Sequence, residues 1–226
     1  MPEGTLHCAI FPPGGFNMEK HVCTTWQGFL QQLITLISHG YRFYCQTEYP
    51  DKKRDKWDAI DLKLIKKYDA DVGKDKRYRY QQKGMANCMF LRWGKHALIL
   101  RSVGEYEETD DHFVDIRDKE LVLEVGDIMK IKIVLEGSKG RVTAYMDKQA
   151  YRDIKAELLD HCRHRRLDVL KGRFAALNGL PGYSGFTQQK AVLVTDIIRE
   201  GKKHGLNLQR KDFPVRTTRK IYKVFD

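Results

Sequence analysis

Two eight-residue runs, ANCMFLRW (86–93) and HALILRSV (96–103), stand on either side of Gly94-Lys95. Runs of this length and composition, joined by a two-residue glycine-containing turn, read as an antiparallel β-hairpin. HFVDIRD, ELVLEVGD and MKIKIVLEG supply further strand, and EGSKGR (136–141) reads as a second hairpin turn leading into RVTAYM. A short strand is expected at TLHCAIF (5–11), another at YRFYCQTEY (41–49), and a basic one at FPVRTTRKIYKVF near the C-terminus.

Helical periodicity appears between these strands. Trp26, Phe29, Leu30, Leu33, Ile34 and Ile37 recur at three- and four-residue spacing behind Thr24, with Gly40 as a natural stop. Asp58 can cap a second helix carrying Ile60, Leu64, Ile65 and Tyr68 on one face, with Lys63, Lys66 and Lys67 on the other. Asp147 caps a long helix that turns Ala150, Tyr151, Ile154, Leu158 and Cys162 inward. After a glycine-rich linker, NGLPGYSG, a last helix begins near Thr187 with Ala191, Val194, Ile197 and Ile198 on one face. Hairpins and helices therefore come in groups, which predicts an α+β fold: mixed, largely antiparallel sheets with about four helices, and not a doubly wound parallel sheet. The 226 residues suit a single compact domain, 1–226. A subdivision into a sheet-rich part, 1–140, and a helical, basic part, 141–226, is the alternative.

The formal net charge is +11, and it is unevenly distributed. Residues 51–103 carry 15 Lys+Arg against 7 Asp+Glu, residues 104–140 carry 5 against 11, and residues 141–226 carry 19 against 9. Two basic blocks thus flank an acidic one. Clustered cations with a pI near 9.4 are the electrostatic footprint of a nucleic-acid partner.

The densest cluster is KDKRYRYQQKG (74–84). Lys74, Lys76, Arg77, Arg79 and Lys83 could hold phosphates while Tyr78 and Tyr80 stack on unpaired bases. As a strand, the segment would put Arg77 and Arg79 on one face and the tyrosines on the other. As a helix it would align Lys76, Tyr80 and Lys83. Arg92, Trp93, Lys95 and Arg101 could extend this surface. A second basic group is Arg163, Arg165, Arg166, Lys171 and Arg173, with Lys202, Lys203, Arg210, Lys211, Arg216, Arg219 and Lys220 beyond it. One or two cations suffice to complement a helix dipole, and here there are more. Interleaved Arg and Tyr slightly favour RNA or single strands over reading of a duplex groove.

The acidic block offers an alternative. Asp115, Asp118, Glu120, Glu124 and Asp127, with Lys130 nearby, could converge as a Mg²⁺-dependent nuclease site. Otherwise neither a catalytic residue nor a metal or cofactor is expected. His161 and His164 lack the further ligands of a metal site, and GYSG (182–185) has the bare G-x-x-G form of a phosphate loop with no cation inside it.

Five cysteines without C-x-x-C spacing read as reduced thiols. No apolar run approaches 18 residues, so no membrane span is expected. The opening MPEGTLHC lacks a basic n-region, which predicts a cytoplasmic protein. The expectation is a non-catalytic nucleic-acid-binding protein, an accessory subunit among the proteins of a ribonucleoprotein or mobile-element complex. The alternatives are the nuclease and a basic protein-interaction module.

Overall fold

The computed structural model describes residues 20–106, 111–125, 129–137, 140–217 and 220–225. The strand expected at 5–11 lies outside them, as do Asp127 and Arg219.

The hairpin forms as the sequence predicts. Strands β2 (Cys88–Trp93) and β3 (His96–Arg101) pair antiparallel with Trp93 opposite His96. Gly94 turns the chain at φ +54°, a conformation that favours glycine. Strand β1 (Phe43–Glu48) pairs with the other edge of β3, and the two-residue β4 (Val114–Asp115) pairs with β1, giving the order β2-β3-β1-β4. Of the strand expected in HFVDIRD only β4 forms.

The near-continuous apolar character of β2 and β3 follows from burial on both faces. Met89, Leu91, Leu98 and Leu100 enter the main core, beneath helix α1 (Trp26–Ser38). Cys88, Phe90, Ala97 and Ile99 point the opposite way, into a second core with Tyr49, Trp57, Ile65 and Tyr68. That second core is roofed by a 3₁₀ segment (Asp51–Lys56) and helix α2 (Trp57–Lys67).

A three-stranded antiparallel sheet follows: β5 (Leu121–Val125), β6 (Met129–Glu136) and β7 (Arg141–Met146), in that order. Its inner residues Leu121, Leu123, Ile131, Ile133, Ala144 and Met146 join the main core. Helices α4 (Lys148–Arg163), α5 (Leu167–Ala176) and α6 (Ser184–Lys203) complete that core. Asp147 caps α4 as expected, its carboxylate accepting from Gln149 N at 2.9 Å. α4 and α6 run side by side in the same direction, with Lys155 on Asp196 at 2.7 Å and Arg163 on Glu200 at 2.8 Å.

The fold is therefore mixed α+β with two antiparallel sheets, but six α-helices occur among the described residues where about four were expected. One extra helix is α3 (Lys74–Gln82), the ambiguous basic segment. The other is α5, which buries Leu170 and Phe174 and packs Phe174 edge-on against Phe213 with centroids 5.4 Å apart. The expected linker before α6 is correspondingly shorter, and α6 starts at Ser184 and not near Thr187. Cap positions also move. Thr25, not Thr24, caps α1, accepting from Gly28 N at 3.1 Å, and Asp58 lies in the first turn of α2, whose N-cap is Lys56. Ala191 is exposed, and Leu193 takes its place in the α6 core stripe.

The basic strand expected at the C-terminus does not form. Residues 220–225 instead lie along α1 without strand pairing. Gln31 grips both sides of one peptide position there: its Oε1 accepts from Tyr222 N at 3.1 Å, and its Nε2 donates to Tyr222 O at 3.4 Å. Gly28 makes the close approach possible, since a Cβ there would lie 2.9 Å from Lys223 O. Glycine at 185 has the same role. A Cβ would meet Ala144 O at 2.3 Å, and Gly185 N donates to Thr143 Oγ1 at 3.0 Å. The G-x-x-G form at 182–185 thus reflects α6 packing against β7.

Candidate nucleic-acid interface

Helix α3 has no buried residue. Its sequence KDKRYRYQQ lacks an apolar stripe, so its stability cannot come from a core face. It is tied down at its edges instead. Asp69, in the left-handed conformation at φ +48° just after α2, accepts from Lys76 Nζ at 2.6 Å and Tyr80 OH at 2.9 Å. Asn87 Nδ2 donates to Arg77 O at 3.2 Å, and Met85 N donates to Tyr80 O at 2.9 Å. The hydrogen bond from Lys76 to Asp69 holds the lysine ammonium above its ordinary pKa.

These ties divide the predicted residues. Lys76, Arg77 and Tyr80 are half-buried on the inward side. Lys74, Tyr78 and Arg79 are exposed on the outward side, with Tyr78 62% exposed, and Lys83 is exposed at the C-terminal end of the helix. The outward side therefore offers the Tyr78 ring with Lys74 and Arg79, beside the exposed Asp75, and neither these two cations nor Lys83 has an ion pair among the described residues.

The expected extension of this surface into the hairpin is corrected. Arg92 is buried: its Nε donates to Asp61 Oδ2 at 2.6 Å, its Nη2 to Asp58 at 2.8 Å and its Nη1 to Gly94 O at 3.3 Å. Asp61 is wholly inaccessible and also accepts from Tyr49 OH at 2.8 Å. Burial pushes the Asp61 carboxyl upward against the pull of Tyr49 and Arg92. Trp93 is half-buried, stacked on His96 with centroids 5.9 Å apart. Arg101 is enclosed by the rings of Phe43, Tyr106 and Phe113 at 4.5, 4.8 and 5.1 Å. Lys95 pairs with Glu48 at 3.2 Å.

The second basic group lies where α4 and α6 end together. Arg163 and Lys203 converge on Glu200, at 2.8 and 3.0 Å, and hold its carboxyl down at about 2. Arg165, at φ +56°, donates to His204 O at 3.1 Å and thereby serves an open carbonyl at the end of α6. Arg173 pairs with Glu157 at 2.6 Å and Lys171 with Asp212 at 3.2 Å. Arg166, Lys202, Arg210 and Lys211 are exposed and carry no ion pair among the described residues. Sequence alone could not separate these four from Arg163, Lys171 and Arg173, because the partner of each of those three comes from another segment.

Among the described residues the acidic set does not gather at one point. Asp115 is buried between Arg42 at 3.1 Å and Arg117 at 2.9 Å, and its carboxyl titrates below the ordinary value. Glu120 pairs with Lys132 at 2.9 Å and Glu124 with Lys130 at 2.5 Å, across neighbouring strands. Asp118 is exposed. Among the described residues no group of three or more His, Cys, Asp or Glu is placed to hold a metal ion. His161 and His164 each face a carboxylate of their own helix, Glu157 and Asp160. Cys23, Cys45, Cys88 and Cys162 are free thiols. No described helix is long and apolar enough to cross a membrane.

No family model, no curated protein and no solved structure matches this chain.

Proposed function

We propose that this protein binds nucleic acid, with unpaired strands and RNA preferred over a duplex groove, and that the outward side of α3 is its main contact. The observation carrying this reading is a nine-residue helix with no buried residue that sets Tyr78 between Lys74 and Arg79, with Lys83 exposed at its C-terminal end. Such a helix contributes little to the core, and its composition suits phosphate contact and base stacking. Arg166, Lys202, Arg210 and Lys211 form a secondary phosphate-binding end. The role is that of a non-catalytic accessory subunit in a ribonucleoprotein or mobile-element complex. The nuclease reading is not carried forward, because Asp115, Glu120 and Glu124 each already have a cationic partner.

The test is a salt titration of oligonucleotide affinity. A Lys74→Ala/Arg79→Ala/Lys83→Ala variant touches no core contact, so it folds normally. It binds more weakly, and its log–log salt slope falls by about 2, from roughly 0.7 per lost phosphate contact on a single strand. Tyr78→Ala weakens binding by about tenfold and leaves the slope unchanged. Wild-type affinity and slope in both variants would remove α3 from the interface.

A further inference from the structure

Two hollows adjoin the C-terminal end of α1. One of about 330 Å³ is bounded by α1, the Pro181-Gly182-Tyr183 loop, and Lys220, Ile221 and Tyr222 of the C-terminal segment. A second of about 230 Å³ is bounded by Gln81, Gly84 and Met85 at the end of α3, together with Tyr41 and Asn87. His39 lines both. The two therefore adjoin at His39, one beside the end of α3 and the other edged by Tyr183, Tyr222 and Lys220.

We infer that this cavity receives a base of the same unpaired strand that α3 binds, the strand crossing His39 between the two. The inference rests on the proposed function and names a subsite within it. Three observations support it. The volume of about 330 Å³ holds one planar ring system with its immediate solvent. Tyr183 and Tyr222 line it from separate segments, and the Lys220 ammonium lies 5.6 Å from the centroid of the Tyr222 ring, so aromatic and cationic groups meet there as base stacking beside a phosphate needs. Lys220 supplies a cation at the rim for the adjoining phosphate. The hydroxyls of Thr35 and Ser38 donate to Gln31 O and Ile34 O, at 2.8 and 2.7 Å, so their remaining hydrogen-bonding capacity toward a ligand is as acceptors. The Tyr222 main chain is held by Gln31, so its ring can be changed without undocking the segment.

The experiment compares wild type, Tyr222→Ala, Tyr183→Ala and the α3 triple variant on an unpaired ten-nucleotide RNA and on a mononucleotide. Photocrosslinking with a 4-thiouridine version of the oligomer, mapped by mass spectrometry, accompanies it. Each tyrosine variant is expected to weaken the oligomer by about 10-fold without changing the salt slope, and crosslinks are expected on Tyr183 or Tyr222. Tyr222→Phe is expected to restore affinity. If Tyr183→Ala fails to fold, Tyr222→Ala and the crosslink map decide. Unchanged affinity in Tyr222→Ala, with the α3 variant still impaired, overturns this subsite alone. A wild-type protein that binds no oligomer overturns the function as well. A mononucleotide bound as tightly as the oligomer and indifferent to α3 makes the cavity a free-nucleotide site and overturns the shared strand path.

Discussion

Replacing Arg92 with Met separates a structural cation from a nucleic-acid ligand. Arg92 is the cation on Asp61, which has no exposed surface and keeps only Tyr49 OH once the guanidinium is gone. Removing one partner of a buried ion pair costs about 3–5 kcal/mol, because the charge left behind is uncompensated. The bond to Asp58 adds little, since that carboxylate is 79% exposed. Urea denaturation at neutral pH should therefore show a loss of about 3–5 kcal/mol with an unchanged m-value. The deficit should depend on pH with a definite sign. Asp61 already titrates above its ordinary 3.8 in the folded protein, and loss of Arg92 raises it further. A raised folded-state pKa costs nothing below the unfolded value and an increasing amount as pH climbs through the folded one. The gap between variant and wild type should thus narrow in acid and widen toward neutrality. Arg92→Met/Asp61→Asn, which removes the stranded charge, should recover part of the loss. Oligonucleotide affinity of the folded variant should keep the wild-type salt slope. A cost below 1 kcal/mol, or a slope that falls, would refute this account and return Arg92 to the binding surface.

Gly185→Ala should destabilise by about 1–3 kcal/mol in thermal or urea unfolding, because its Cβ meets backbone at Ala144 O and cannot be relieved by a side-chain rotation. Glu200, held at about 2 against an ordinary 4.5, contributes stability that is full above 4.5 and lost as pH falls toward 2. Glu200→Gln should flatten the acid limb of a stability–pH curve in that window. Lys190 is wholly buried, donating to Arg216 O at 3.0 Å, and burial lowers its pKa from the ordinary 10.5. Wild-type stability should therefore gain from this residue as pH rises toward 10.5, and Lys190→Met should abolish that gain.

What could be read from the chain depended on where the partner lay. α1 and the β2–β3 hairpin were legible because their signals are local: an apolar period of three and four, and two runs closed by Gly94. α3 stayed ambiguous between helix and strand because nothing in it faces a core, so no period exists to read. α5 was missed because its two anchors, Leu170 and Phe174, sit in a short stretch that directly follows the basic run HCRHRR and is interrupted by Gly172. The C-terminal segment alternates like a strand, yet its backbone partner is the side chain of Gln31, 191 residues away. The same distance problem governs the candidate interface. Exposed cations and paired cations look identical in sequence, and Arg92 was misassigned because Asp61 lies 31 residues upstream. His39, Tyr183 and Tyr222 come from three unrelated stretches and carry no common motif.

A helix with no fully buried residue can unwind at little cost to the core of the molecule. For α3 the opening free energy is then set by two edge hydrogen bonds to Asp69 and a few backbone contacts, not by global stability. Its amides should exchange with solvent long before those of α1 or β3. A polymer gripping its outer side would have to supply the cost of keeping it wound, so protection there would report occupancy directly.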